Sequence, residues 1–286
     1  MGLSMHERVA SSPNAWCELI HRRCGLTIRS AQVPTVIQSV RLHVEASGIT
    51  EKAYYEQLAA APDGDPEWVT LIERLVNHET SFFRHPPSFD VLRARLLPDL
   101  RAARGRARLN LLSAGCSTGQ EAYSMAMVAK DQEPTGDFAV WGCDISRYAI
   151  DLARRARFGR RAIAPVPEEY RRRFLIECGE TAMPEFEICE ELRRRVRFSA
   201  ANLFATDGGI TLTYDVIFCH NVLIYMSAAA VSQIVATLAG RLVPGGYLVL
   251  GPGEGPSERP ALLEPMAVSG VRLFRRRSHA QTEGRP

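Results

Sequence analysis

The sequence predicts an α/β fold: a parallel sheet covered on both faces, preceded by an all-helical unit and interrupted by one small β insertion. Three observations carry this reading. Residues from about 13 to 75 show helical periodicity, and no strand signal appears before residue 109. From Leu109 onward, short apolar runs alternate with helical patterns, which is the signature of a parallel sheet built from βαβ units. Between residues 154 and 197 that alternation breaks, and 12 arginines and eight glutamates crowd the chain.

The elements follow in order. "PNAWCELIHRRCG" opens on Pro-Asn and closes on Gly, as a helix should. "PTVIQSVRLHVEASG" does the same, and its Val36, Ile37, Val40 and Val44 share one helical face. "EKAYYEQLAA" and "PEWVTLIERLV" are two further helices, with a turn at Ala61 to Pro66 between them. The strand candidates are "LNLLSAG", "FAVWGCDI", "YDVIFCHNVLIY" and "GGYLVLG". Helices are expected over 120–130, 146–157 and 228–242. "VSGVRLFRRR" suits an antiparallel closing strand. The Arg/Glu-rich stretch is read as an insertion, a hairpin or small sheet. Its charge marks either a solvated, salt-bridged surface or a docking face for an acidic partner. The tail "SHAQTEGRP" is expected to be disordered.

Composition narrows the class. A chain of 286 residues with 46% hydrophobic content can bury one core domain and a smaller partner. No apolar run approaches the roughly 18 residues of a membrane span, and the start "MGLSMHERVA" lacks a signal-peptide core. A cytoplasmic protein without direct membrane insertion is expected. The seven cysteines are odd in number, scattered and without a C-x-x-C pair, so they read as reduced thiols, not as disulfides or metal ligands. A net charge of +3 gives no reason to expect nucleic acid.

The chemistry gathers around "LLSAGCSTGQEAYSMAM", Leu111 to Met127. A strand runs into a glycine turn, Gly115 to Gly119, and a helix follows. This is the shape of a nucleotide-binding loop, yet Glu121 sits where a pyrophosphate would want bare amides. Asp144 stands at the end of the next strand, 25 residues after Gly119, where an acid grips ribose hydroxyls in open α/β sheets. S-adenosylmethionine has no phosphate and carries two positive groups, so a carboxylate there attracts it. The turn and the two acids favour this cofactor over NAD. Glu121 as a helix-dipole acid and Asp144 as an N-cap are the alternatives.

Several motifs in order resemble one family, the chemotaxis receptor glutamate O-methyltransferases or CheR family. They are "SAGCSTGQEAYSMAM", "NHETSFFRHPPSFDVL" (77–92), "GCDIS", "FSAANLF" (198–204), "YDVIFCHNVLIYM" (214–226) and "LVPGGYLVLGPGE" (242–254). The resemblance covers most of the chain. It implies a Rossmann-like class I methyltransferase sheet in residues 91–286, a helical N-terminal domain in 1–75, a cofactor-contacting linker in 76–90 and a β-subdomain inserted at about 158–197. It implies methyl transfer from S-adenosylmethionine to glutamate side chains in the cytoplasmic region of methyl-accepting chemoreceptors. A monomer is expected.

By the same resemblance His78, Thr80 and Arg84 in the linker approach the cofactor. Glu121 holds its methionyl end, Asp144 its ribose, and Asn202 and Leu203 flank the adenine. His220 and Asn221 complete the cofactor contacts, and Asn221 and Tyr225 line the reaction centre. Arg84 and Tyr225 are the residues expected to orient the reacting carboxylate. Ordinary alternatives are an interdomain ion pair for Arg84, core packing for Tyr225 and a turn role for Asn202. Phe82 and Phe83 read as packing residues that seat the linker. The sequence departs from the family pattern at His78, at His220, where Arg is usual, and at Pro252-Gly253. Some family members dock on a receptor's C-terminal pentapeptide through a glycine-rich loop of the insertion. Here "LIECGETAMPEFEICEEL" has one glycine, Gly179, a donor-less Pro184 and six glutamates, of which Glu180, Glu185, Glu187, Glu190 and Glu191 would face and repel an acidic peptide. A pentapeptide-independent enzyme is expected. A non-catalytic S-adenosylmethionine-binding scaffold and a methyltransferase for another substrate remain the alternatives.

Overall fold

The computed structural model describes residues 12–62, 65–133, 136–179, 184–205 and 210–278. Residues 63–64 of the expected turn, and all but Ser278 of the expected disordered tail, lie outside the described residues.

The helical unit is punctuated as its sequence suggests. Helix α1 (Pro13–Cys24) is capped by Ser12, whose side chain accepts from Ala15 N, and it stops at Gly25 with φ 72°. Helix α2 (Val33–Ser47) stops the same way at Gly48. Helices α3 (Glu51–Ala60) and α4 (Pro66–Glu73) carry Thr50 and Asp65 as N-caps. Trp16, Ile20, Val36, Leu58 and Leu71 are buried together between them. Burial of side chains this size stabilises by about 1.5–3 kcal/mol each.

Residues 74–85 then cross to the second unit. Helix α5 (Pro86–Val91), a π-helical stretch (Leu92–Leu96) and helix α6 (Leu97–Arg104) follow one another. Phe82, Phe89, Leu92 and Leu96 belong to the core beneath the sheet, with Phe82 edge-on to Phe158. The end of the 76–90 linker is thus part of the sheet domain's own packing.

Strand β1 (Leu109–Ala114) leads through the glycine turn into helix α7 (Gln120–Gln132), and strand β2 (Phe138–Asp144) leads into helix α8 (Arg147–Arg155). The insertion comes next: β3 (Arg157–Gly159), α9 (Arg160–Ile163), α10 (Glu168–Phe174), β4 (Leu175–Cys178), β5 (Glu185–Ile188) and α11 (Glu190–Arg193). Its three strands pair antiparallel in the order β3-β5-β4. Strand β6 (Val196–Ala200) already belongs to the main sheet, parallel to β2. The inserted sheet therefore ends at Ile188, and α11 closes the insertion before β6 begins at Val196. Strand β5 is also the central strand, so Pro184 just before it blocks neither edge.

Strand β7 (Tyr214–Cys219), helix α12 (Ala228–Arg241), β8 (Leu242–Leu250), β9 (Leu263–Met266) and β10 (Arg272–Arg276) complete the chain. The seven-stranded sheet runs β6-β2-β1-β7-β8-β10-β9, and β10 is antiparallel to both its neighbours. Period-two alternation builds two cores. Leu109, Leu111, Val216 and Phe218 face one, and Leu112, Ala114, Ile217 and Cys219 face the other. The strand order reverses beside β1, which opens a crevice at the carboxyl ends of β1, β2 and β7. Among the described residues, no helix is long and apolar enough to cross a membrane.

Candidate active site

The crevice is a pocket whose floor is the strand ends and whose roof is the helical unit. Gly115, Ser117, Glu121 and Asp144 line it from the floor, and Asn202, Leu203, His220, Asn221 and Tyr225 from the side. Thr80 and Arg84 enter from the linker, and Leu26, Thr27 and Ile28 from the helical unit. Nine of the ten expected site residues thus meet in one cavity. The exception is His78. Its carbonyl accepts from Ser117 Oγ at 3.0 Å, its ring lies edge-on to Tyr148, and it is not part of the lining.

The glycine turn is tied to β2 by Gly115 N and Cys116 N, which both donate to Cys143 O. Gly115 has φ 78°, and a Cβ there would run into Val222, so only glycine lets the turn approach the β7 loop. Ser117 N donates to Asp144 Oδ2 at 2.9 Å, and Ser146 N to Asp144 Oδ1 at 3.0 Å. The N-cap of α8 is Ser146 itself, so the capping alternative for Asp144 is corrected. Burial pushes the Asp144 carboxyl above its ordinary pKa, against the pull of these amide donors.

Glu121 is held on both oxygens. Ser113 Oγ donates to Oε1 at 2.7 Å, and His220 Nδ1 lies 2.7 Å from Oε2. The other nitrogen of His220 lies 3.3 Å from Ser88 Oγ, which in turn lies 2.8 Å from His85 Nδ1. With a proton on Nδ1, His220 donates a single charge-assisted bond to Glu121. This is how the histidine serves at a position where the family usually carries Arg. It orients the carboxylate without offering the two-pronged grip of a guanidinium.

Two residues carry duties that their motifs did not announce. Asn202 Nδ2 donates to Arg23 O at 2.8 Å, joining the helical unit to the sheet domain, while its Oδ1 accepts from Phe204 N two residues on, which is the turn role named for it above. Arg84 Nη1 donates to Glu79 O at 2.8 Å, bracing the linker instead of forming an interdomain ion pair. Tyr225 OH is 3.5 Å from Asn77 Nδ2, and its backbone carbonyl accepts from Thr27 N at 2.8 Å. A lone bridge pairs Leu26 with Met226, and Ser227 N donates to Gly25 O. These contacts form a seam around the pocket. Sequence reasoning left out Ser113, Ser88 and Asn77. The polar Ser113 inside the apolar run "LNLLSAG" was the available signal.

The residues present suit S-adenosylmethionine. A carboxylate oxygen has room for more than one donor, so Glu121 and Asp144 keep acceptor capacity toward the pocket for cations and hydroxyls beside their protein partners. Leu26, Ile28, Leu75, Val76 and Leu203 supply an apolar wall for a flat ring. The sheet order, the glycine turn, the acid at the end of β2 and the acid in the first turn of α7 define a domain that binds this cofactor. Residues 78–269 match the CheR methyltransferase SAM-binding domain, and the chain belongs to that family.

Two curated relatives come from Pseudomonas aeruginosa. The probable biofilm formation methyltransferase WspC is 32% identical over 273 residues, covering 94% of this chain and 63% of that protein. The chemotaxis protein methyltransferase 1 is 30% identical over 277 residues, covering 93% of this chain and 99% of that protein. The chemotaxis protein methyltransferase of Escherichia coli is 27% identical, covering 88% of each. The chain spans less than two thirds of the WspC proteins, 63% and 60% of the two.

Proposed function

We propose that this chain transfers a methyl group from S-adenosylmethionine to glutamate side chains in the cytoplasmic region of chemoreceptors, forming methyl esters. The observation that carries the reading is the acid-floored pocket of Glu121 and Asp144, with Tyr225 and Arg84 at its rim, in a chain of this family. Proteins named for chemotaxis methylation match nearly end to end, which supports the substrate class.

When bound, the cofactor supplies an electrophilic methyl group on a sulfonium. A receptor glutamate, with a reference pKa of about 4.3, arrives ionised at neutral pH and requires no general base. The chain's task is therefore alignment and exclusion of water, and positioning of this kind can supply up to about 7–11 kcal/mol of barrier reduction. Glu121 takes the ammonium and Asp144 the ribose hydroxyls. Asn202 and Leu203 hold the adenine side, with Thr80, His220 and Asn221 completing the binding set, while His78 supports the turn through its carbonyl. Arg84 and Tyr225 orient the incoming carboxylate. The Tyr225 hydroxyl, a weak dipole, does this without quenching the nucleophile.

The pentapeptide-independent mode remains part of this reading on narrower grounds. Glu187 is ion-paired with Arg157 and Arg193, and Glu177 lies 3.9 Å from Arg160, so repulsion of an acidic peptide loses weight. The low glycine content of the β4–β5 stretch still supports it, although residues 180–183 lie outside the described residues. The biofilm-formation relatives favour a second reading of the output, in which the same chemistry serves a surface-attachment system.

The test is transfer of labelled methyl from S-adenosylmethionine to receptor fragments. A base-labile product is expected, and cofactor binding without any transfer would overturn the proposal. Titration with an isolated receptor pentapeptide should show no binding, and micromolar binding would sink the docking mode.

A further inference from the structure

We infer that Glu254 is a positioning residue that sets the β7 turn and, through it, Asn221 and Tyr225; this rests on the methyl-transfer reading above. Glu254 is 3% exposed and is absent from the pocket lining. Its Oε2 accepts from Asn221 N at 2.6 Å, and its Oε1 accepts from Leu223 N at 2.7 Å and Ile224 N at 3.2 Å. Burying an ionised carboxylate is costly unless it is fully bonded. The ion pairs among the described residues do not include Glu254, and backbone amides are its hydrogen-bond partners.

The turn needs such an anchor. Asn221 has φ 59°, the left-handed conformation that Asn tolerates better than other non-glycine residues, and the bonds to Glu254 select it over the alternatives open to a free loop. The chain has made room for the anchor. Gly251 directly follows β8, and a Cβ there would collide with the Glu254 carboxylate and press on Asn221 N at 3.2 Å. One side chain thereby fixes the segment that carries His220 against Glu121 at one end and Tyr225 beside Asn77 at the other.

The experiment compares wild type with Glu254→Gln and Gly251→Ala, each also in a Tyr225→Phe background. Glutamine loses the charge and one acceptor, whereas alanine at 251 displaces the carboxylate without removing it. Expected is a fall in kcat of about tenfold for either variant in the wild-type background and clearly less in the Tyr225→Phe background. Equal loss in both backgrounds, or no loss, would overturn the inference, because a general stability effect is additive. A second readout is independent of catalysis. In amide NMR the Asn221 and Leu223 protons should lie downfield in wild type and move upfield in Glu254→Gln. Unmoved resonances would overturn the inference even if kcat fell. If wild type transfers no methyl group, the proposed function fails, and the amide readout alone decides whether Glu254 sets the turn.

Discussion

The carboxylates of the pocket and those of the insertion are chemically the same group in opposite circumstances. Glu121 and Asp144, with Glu254 just behind the lining, are buried or half-buried, and they accept from backbone amides, one serine hydroxyl and one imidazole. Glu168 and Glu190 lie on exposed helices and face Arg172 at 2.9 Å and Arg194 at 2.5 Å, with both arginines about three-quarters exposed. Water competes for every bond in the second set and for few in the first. Removing a partner in the pocket strands a buried group, whereas removing one on the insertion returns both groups to solvent. The Arg/Glu density that dominates the sequence between 154 and 197 therefore carries less free energy than a few quiet acids elsewhere.

The strongest attempt to break this comparison is Glu121→Ala. It removes the acceptor of Ser113 and His220 and the pocket's answer to a cation. At about 1.5–3 kcal/mol for each bond to a charged group, S-adenosylmethionine affinity should fall at least about 100-fold, and the melting temperature should drop with it. Calorimetry and thermal melts check both, and an unchanged affinity would remove Glu121 from the site.

Asp144→Asn should cost less, about tenfold in affinity, because an amide keeps one acceptor. The variant also sharpens the electrostatic half of the comparison. The Asp144 pKa is raised above its ordinary 3.8. In the ligand-free fold, stability from the protonated form is present below that value and is lost as pH rises through the higher folded pKa. On the proposed ribose role, binding draws on the ionised form, so wild-type affinity should decline on acidification from a pH above 3.8, and Asp144→Asn should flatten that part of the profile. Identical profiles would count against the assignment.

Tyr225→Phe keeps the ring and deletes the hydroxyl. A fall in kcat of about tenfold with little change in cofactor affinity is expected from steady-state kinetics paired with calorimetry. Equal kcat would return Tyr225 to a packing role. The smallest effect belongs to the insertion. Arg172→Ala breaks exposed contacts to Glu168 and should change stability by less than about 0.5 kcal/mol, or about 1–2 °C in Tm. A larger loss would mean that the exposed network is cooperative.

The same contrast explains what the sequence revealed. Helices α1 to α4 were legible because Pro, Ser, Thr, Asp and Gly stand at their ends. The parallel strands were legible because strands buried on both faces read as apolar runs. Asp144 and Glu121 were legible because their offsets from the glycine turn are fixed by local geometry. Strand β6 was hidden, since as an edge strand it carries the exposed Arg197 and merges with the charged stretch before it. Strand β9, "LEPM", was hidden by its proline, which an edge tolerates. Glu254 gave no local signal, because its partners lie 30 to 33 residues upstream and are backbone amides that any sequence would supply.

The seam between the two units has a consequence for how the molecule is held together. The bonds from Thr27 to Tyr225 and from Asn202 to Arg23 start from residues that line the cavity the family's cofactor would fill, and the bond from Ser227 to Gly25 joins the same two units. A molecule in that cavity acts as mortar between two blocks. At 100 times its dissociation constant it adds about 2.7 kcal/mol to the state in which the blocks are joined. Undocking of the helical roof and escape of the occupant are then linked events. Whatever loosens or tightens the roof, from Leu26 to Ile28, acts through that shared wall on how long the occupant stays.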